Sequence, residues 1–109
     1  MIKSNAILEI NKKNIIHNFK ILKNLTNKSI PGVTIKANAY GIGALKTHNF
    51  LYKVGCRNFF FATLEEAIEL RNYKLKGNFY VLNGLENNKV NNFAKYKIIP
   101  ILNSYSEIK

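Results

Sequence analysis

Lys36-Ala37-Asn38-Ala39-Tyr40-Gly41-Ile42-Gly43 gathers an amine, a phenol and two glycines within one short stretch of this chain. The preceding Val33-Thr34-Ile35-Lys36-Ala37 has the composition of a β-strand, so Lys36 falls near the C-terminal end of that strand. In folds built on parallel strands, ligands bind at that end, where the loops converge. Side chains alternate along a strand, so Val33 and Ile35 point one way and Thr34 and Lys36 the other. In a barrel one set meets the helices and the other faces the interior. A lysine held inward is costly unless it is paired, shifted in pKa or used covalently. Gly41 and Gly43 let the backbone approach a ligand closely, and Tyr40 offers a hydroxyl beside them. The competing reading is a strand-end lysine reaching solvent, with Tyr40 an ordinary loop aromatic.

The elements that must position this stretch follow from the apolar pattern. Ala6-Ile7-Leu8-Glu9-Ile10 reads as a short strand. Asn11 can cap a following helix, whose apolar stripe is Ile15, Ile16, Phe19, Leu22 and Leu25. Pro31-Gly32 breaks the chain before the lysine strand, and a second helix runs from Leu45 to Val54 and stops at Gly55. Phe59-Phe60-Phe61-Ala62 is a continuous apolar run, the signature of a strand buried on both faces. Thr63-Leu64-Glu65-Glu66 is a capping box opening a helix that ends near Tyr73. Phe79-Tyr80-Val81-Leu82 is the next strand, Val90, Phe93 and Ala94 mark a further helix, and Ile98-Ile99-Pro100-Ile101-Leu102 is the last strand. This alternation argues for parallel strands joined by helical crossovers. Periodicity leaves open whether they form part of a barrel or an open doubly wound sheet.

Composition bounds the function. At 109 residues and 47% hydrophobic content, the chain suits one small globular domain rather than a disordered segment. It holds no apolar run long enough to span a membrane. Met1-Ile2-Lys3-Ser4-Asn5 does not open a signal peptide, and a single cysteine excludes an internal disulfide, so a cytoplasmic protein is expected. The net charge of +11 invites a nucleic-acid partner. Against it, Arg57 and Arg71 are the only arginines, and the lysines are scattered through every segment. Abundant lysine, asparagine and isoleucine suit an AT-rich genome filling exposed positions, so a solvated surface is expected instead, with no nucleic-acid partner. His17 and His48 have no second ligand at metal-binding spacing, so no metal is expected. Glu65, Glu66 and Glu69 read as helix capping and surface charge, and Cys56 as a packed, inert thiol.

Val33 through Gly43, with Phe61-Ala62-Thr63-Leu64-Glu65-Glu66-Ala67 behind it, resembles the alanine racemase family. Leu8-Glu9-Ile10, His17-Asn18-Phe19 and Ile99-Pro100-Ile101-Leu102-Asn103 fit that family in order and spacing, so the resemblance covers nearly the whole chain. It implies a fold: residues 1–109 as the N-terminal part of a (β/α)8 TIM-type barrel, with about four parallel strands and crossover helices after a short strand and helix. It also implies pyridoxal 5'-phosphate as cofactor, Lys36 as the lysine that condenses with its aldehyde, and Tyr40 as a contact to its phosphate. The implied activity interconverts L- and D-alanine, supplying D-alanine for the cell wall. The lysine works on one face of the substrate, and a tyrosine from the partner subunit's second domain on the other.

The sequence departs from the family in two minor positions and one major respect. Ile42 stands where histidine is frequent, and His48 where a small residue is usual. A complete barrel needs roughly 250 residues, so about half its strands are expected here, with the second tyrosine base, most of the phosphate cup and two site arginines lacking counterparts. The 109 residues alone are therefore expected to be inactive: a decayed product, or one part of a split enzyme completed by a complementary chain. The other function classes are a non-catalytic module that binds cofactor or a partner through its strand edges, and a small basic nucleic-acid binder.

Overall fold

The computed structural model describes residues 5–108. Helix α1 (Lys12–Leu25) begins where expected, because the Asn11 side chain accepts from the Asn14 N–H at 3.1 Å. Only part of its apolar stripe is used. Phe19 is buried and Ile15 and Ile16 pack against the core, while Leu22 and Leu25 face solvent. The strand expected over Ala6–Ile10 is not formed. The sheet begins later, and Ile7 and Leu8 are 86% and 74% exposed.

The sheet consists of β1 (Val33–Thr34), β2 (Asn58–Phe61), β3 (Asn78–Val81) and β4 (Ile98–Pro100), all parallel and in the order β1-β2-β3-β4. Between them lie α2 (Lys36–Tyr40), α3 (Ala44–Lys53), α4 (Leu64–Asn72) and α5 (Val90–Tyr96). A doubly wound sheet reverses its strand order at a switch point. Here every step goes the same way, and right-handed crossovers then put the helices on one side, as in a sector of a (β/α) barrel.

Burial follows the same division. Phe59, Phe61, Phe79, Val81 and Ile98 are at most 4% exposed, packed with Leu51, Leu64, Ala67, Leu70 and Phe93 from the helices. Each buried phenylalanine contributes about 1.5–3 kcal/mol of transfer free energy, which makes this layer the main source of stability. The other face differs from the expectation of two-sided burial. Phe60 and Tyr80 stack there at 4.8 Å between ring centres but are only half-buried, and Ile99 is 41% exposed. The β2 run is continuous because one face meets the helices and the other meets Tyr80, not because both are enclosed. Pro100 lacks an N–H and stands in β4, at the edge of the sheet, where that loss is tolerated.

One residue ties the far end of this layer together. The Arg71 guanidinium donates to the carbonyls of Tyr96, Leu75, Gly77 and Lys97 at 2.9–3.0 Å and lies 3.8 Å from the Phe79 ring centre. It thereby links the end of α4 to the entries of β3 and β4.

Candidate functional site

The expected strand over Val33–Ala37 stops early. The Ile35 N–H still donates to the Phe60 carbonyl at 2.9 Å, extending the ladder one residue past β1, and then the backbone turns over. Ala37, Asn38, Ala39 and Tyr40 all have φ between 50° and 56°, so α2 is a left-handed helical turn. In that conformation Cβ crowds the following carbonyl, at roughly 1–2 kcal/mol per non-glycine residue, and it persists only where surroundings enforce it. Such consecutive strain directly follows Lys36 in the chain.

Three sets of contacts hold the turn. Within it, the Ala39 N–H donates to the Ile35 carbonyl at 3.0 Å and the Gly41 N–H to the Ala37 carbonyl at 3.1 Å. Asn38 binds on two sides. Its backbone carbonyl accepts from Gly43 N–H at 2.8 Å, and its Oδ1 accepts from Ala44 N–H at 2.8 Å. The residue at the N-cap of α3 is Gly43, which has no side chain to cap with, so Asn38 supplies the acceptor from within the turn. Glu66 is the third contact. Its Oε1 accepts from Ala37 N–H at 3.1 Å, while its Oε2 accepts from Ala62 N–H at 3.0 Å and more weakly from Thr63 N–H at 3.4 Å. The capping box expected at Thr63 and Glu66 is present, but it uses only part of this carboxylate.

Lys36 and Tyr40 are the first and last residues of the turn. Lys36 is half-buried, and its amine makes no hydrogen bond or ion pair among the described residues. The buried, solvent-excluded neighbour of that lysine is Ile35, 1% exposed on the helix side, in accord with the alternation of side chains. Tyr40 is 64% exposed. Gly41 and Gly43, at φ 89° and 111°, are required by conformation alone, since a Cβ at either would meet nothing within 4 Å. Space therefore remains beside the turn for another group. The two hollows nearest to it are lined by its neighbours: one of about 360 Å³ by Ile35, Asn38, Glu66 and Glu69, the other of about 390 Å³ by Ile42, Lys46 and Phe50. Neither is lined by Lys36 or Tyr40. On the inner face of the sheet, Phe60, Ala62 and Leu82 are half-exposed, and no opposing wall stands over them among the described residues.

Sequence reasoning missed Asn38 and the second role of Glu66. A glycine at a helix N-cap signals that the acceptor must come from elsewhere, which would have pointed to Asn38. Nothing in the sequence signals that Glu66 reaches a loop 29 residues away.

The remaining candidates are structural. His48 is buried, 2% exposed, with Nε2 at 2.6 Å from the Lys76 carbonyl and its ring packed on Phe59 at 4.4 Å. Burial lowers its pKa. His17 is exposed. Cys56 is 1% exposed, and burial pushes its thiol pKa up, which suits an inert sulfur. Glu65 pairs with Lys89 at 3.1 Å on the surface. No group of metal-ligating side chains, and no helix long and apolar enough to cross a membrane, is found among the described residues.

The chain is similar to known proteins along nearly its whole length. The family described as "Alanine racemase, N-terminal domain" matches residues 10–109. The alanine racemase of Rickettsia africae is 36% identical over 94% of this chain, and that of Rickettsia prowazekii 37% identical over 94%. These regions are 29% and 26% of the two relatives, so the chain spans under a third of their length. Among solved structures, alanine racemase from Bartonella henselae "with covalently bound pyridoxal phosphate" superposes with a TM-score of 0.83 at 36% identity, covering 91% of this chain and 28% of that one. A histidine racemase from Leuconostoc mesenteroides superposes at 0.79 with 23% identity over 89% of this chain and 26% of its own, a likeness of fold alone. The family match over residues 10–109 and the superposition at a TM-score of 0.83 agree: this chain belongs to the alanine racemase N-terminal domain family.

Proposed function

We propose that residues 1–109 form the cofactor-bearing N-terminal part of a (β/α)8 barrel in a cytoplasmic, pyridoxal-phosphate-dependent racemase of a small amino acid, alanine first. The carrying observation is Lys36: an uncommitted amine at the mouth end of β1, opening a turn held left-handed against its own preference. The donor set fits the cofactor at both ends. Lys36 offers an amine for the aldehyde, and Tyr40 a phenol for the phosphate, with open space at Gly41 and Gly43. Bound there, pyridoxal phosphate supplies an electron-accepting ring that stabilises the carbanion left when a substrate loses its α-proton.

The chain's own residues then have defined work. Lys36 would hold the cofactor through its Nζ, the amine that would engage the aldehyde end, and would so anchor the ring at the strand end. The same Nζ, when not engaged by the cofactor, would take the α-proton from one face of the substrate. Tyr40 donates to a phosphate oxygen and orients the ring. Asn38 and Glu66 hold the turn. A proton donor for the opposite face, and the wall above Phe60 and Leu82, must come from outside these residues. We therefore propose that the 109 residues alone do not racemise alanine, and that further barrel strands and a β-rich domain, as a continuation or a complementary chain, complete the site, with a second copy contributing in a dimer. The half-exposed inner face and the outer edges of β1 and β4, which pair with no further strand among the described residues, support such a partner and would equally serve a non-catalytic docking module.

The test is incubation with pyridoxal phosphate, reduction with borohydride and peptide mass spectrometry. Label should concentrate at Lys36 and vanish in Lys36→Ala. Label spread evenly over the exposed lysines of a folded chain would refute the assignment. Conversion of L- to D-alanine by the purified 109-residue chain would overturn the proposal that it is inactive alone.

A further inference from the structure

We infer that Glu66 is a positioning residue for Lys36, acting through the Ala37 backbone; this rests on the reading of Lys36 as the cofactor lysine. Glu66 sits on α4, yet it joins two strand ends. Oε1 holds the N–H of Ala37, the residue next to Lys36, and Oε2 holds the N–H of Ala62, just past β2. Thr63 needs the same carboxylate only weakly, at 3.4 Å. Capping α4 would be satisfied by Oε2 alone, so the contact at Ala37 is additional to the cap. That contact falls on the first of four consecutive left-handed residues, where the chain leaves the strand.

The physical consequence concerns direction. Backbone that passes into the left-handed region must be pinned at the point of entry, or it relaxes to the ordinary region and swings the preceding side chain with it. A carboxylate accepting from Ala37 N–H supplies that pin with a charge-assisted bond. Because Ala62 N–H holds the other oxygen, the pin is referenced to β2, the strand beside Lys36. Lys36 is thus fixed relative to the sheet and not only to its own turn. Glu66 touches neither cofactor nor substrate in this account; it sets where Nζ stands.

Two variants separate positioning from simple helix stability. Glu66→Gln keeps the shape but leaves one acceptor oxygen for the N–H groups of Ala37, Ala62 and Thr63. Thr63→Ala breaks the capping box while sparing the Ala37 contact. In folded protein, judged by circular dichroism, borohydride trapping of pyridoxal phosphate at Lys36 should slow on the order of tenfold in Glu66→Gln and stay at the wild-type rate in Thr63→Ala. Exchange of the Ala37 amide hydrogen should accelerate by a similar factor in Glu66→Gln only. Equal slowing in both variants, or an unchanged rate and unchanged exchange in Glu66→Gln, would overturn the inference. If wild-type Lys36 takes no label, the cofactor reading falls by itself, and the Ala37 exchange still decides whether Glu66 pins the turn.

Discussion

Replacing Ala37 by glycine should make this protein more stable, a reversal of the usual rule. Ala37 is exposed, so its methyl group contributes little packing, and its φ and ψ are 50° and 49°. Releasing an L-residue from that conformation recovers about 1–2 kcal/mol. Glycine widens the unfolded ensemble, which takes back about 0.4–1 kcal/mol. The hydrogen bond from Ala37 N–H to Glu66 survives, since it belongs to the backbone. The balance is a net gain of roughly 0.5–1 kcal/mol, or about 4 °C in Tm for a domain this size. Urea titration of Ala37→Gly against the wild type measures it directly, with Gly41→Ala as the opposite change in the same turn. Gly41 has φ 89° and no steric neighbour, so its substitution should destabilise purely through conformation. The gain at Ala37 should carry a functional cost: a looser turn should slow trapping of pyridoxal phosphate at Lys36 by up to about fivefold, the same entropy expressed as a rate. A midpoint that falls or stays put in Ala37→Gly would refute the claim that strain is stored after β1.

Two further predictions concern the helix-side layer. Arg71→Leu should cost about 3 kcal/mol or more in urea unfolding, because it leaves carbonyls of Leu75, Gly77, Tyr96 and Lys97 without their donor; a loss under about 1 kcal/mol would show those carbonyls well served by water. Burial lowers the pKa of His48, so below its ordinary value of 6.5 the unfolded chain takes up a proton that the folded chain refuses. Unfolding free energy should therefore hold steady above that pH and fall as the pH drops below it, by at most about 1.4 kcal/mol per pH unit, until the folded pKa is reached. His48→Phe should flatten that slope in denaturation curves recorded from pH 7.5 to 5, and an unaltered slope would assign it to other groups.

Much of the fold was legible because its signals are local. Asn11 and the Thr63–Glu66 box fix two helix starts, and the β2 to β4 strands carry apolar runs whose alternate members, Phe59, Phe61, Phe79 and Val81, are the core. Strand order was not legible, because alternation of β and α suits both a barrel and a doubly wound sheet; only the pairing of β1 with β2, β2 with β3 and β3 with β4 decides it. The apolar run Ala6–Ile10 does not become a strand, because apolar composition alone does not decide whether a segment joins the sheet. At the candidate site, Lys36, Tyr40 and the two glycines stood out by type and spacing. The left-handed turn did not, since three of its residues, Ala37, Ala39 and Tyr40, have no preference for that conformation. Bonds within the turn and to Asn38 hold it together with Glu66, whose contact across 29 residues no local pattern encodes.

The two faces of the sheet differ. On the helix side Phe59, Phe61, Phe79, Val81 and Ile98 are buried, and Arg71 ties the entries of β3 and β4. The strained turn joins that layer through Ala39, which is buried in the same core. The inner face is unfinished, with Phe60, Tyr80 and Ile99 partly open and Lys36 uncommitted. Both oxygens of Glu66 accept from backbone N–H groups, and the amine of Lys36 makes no hydrogen bond or ion pair among the described residues. The carboxylate thus fixes the backbone beside Lys36 without pairing with its amine.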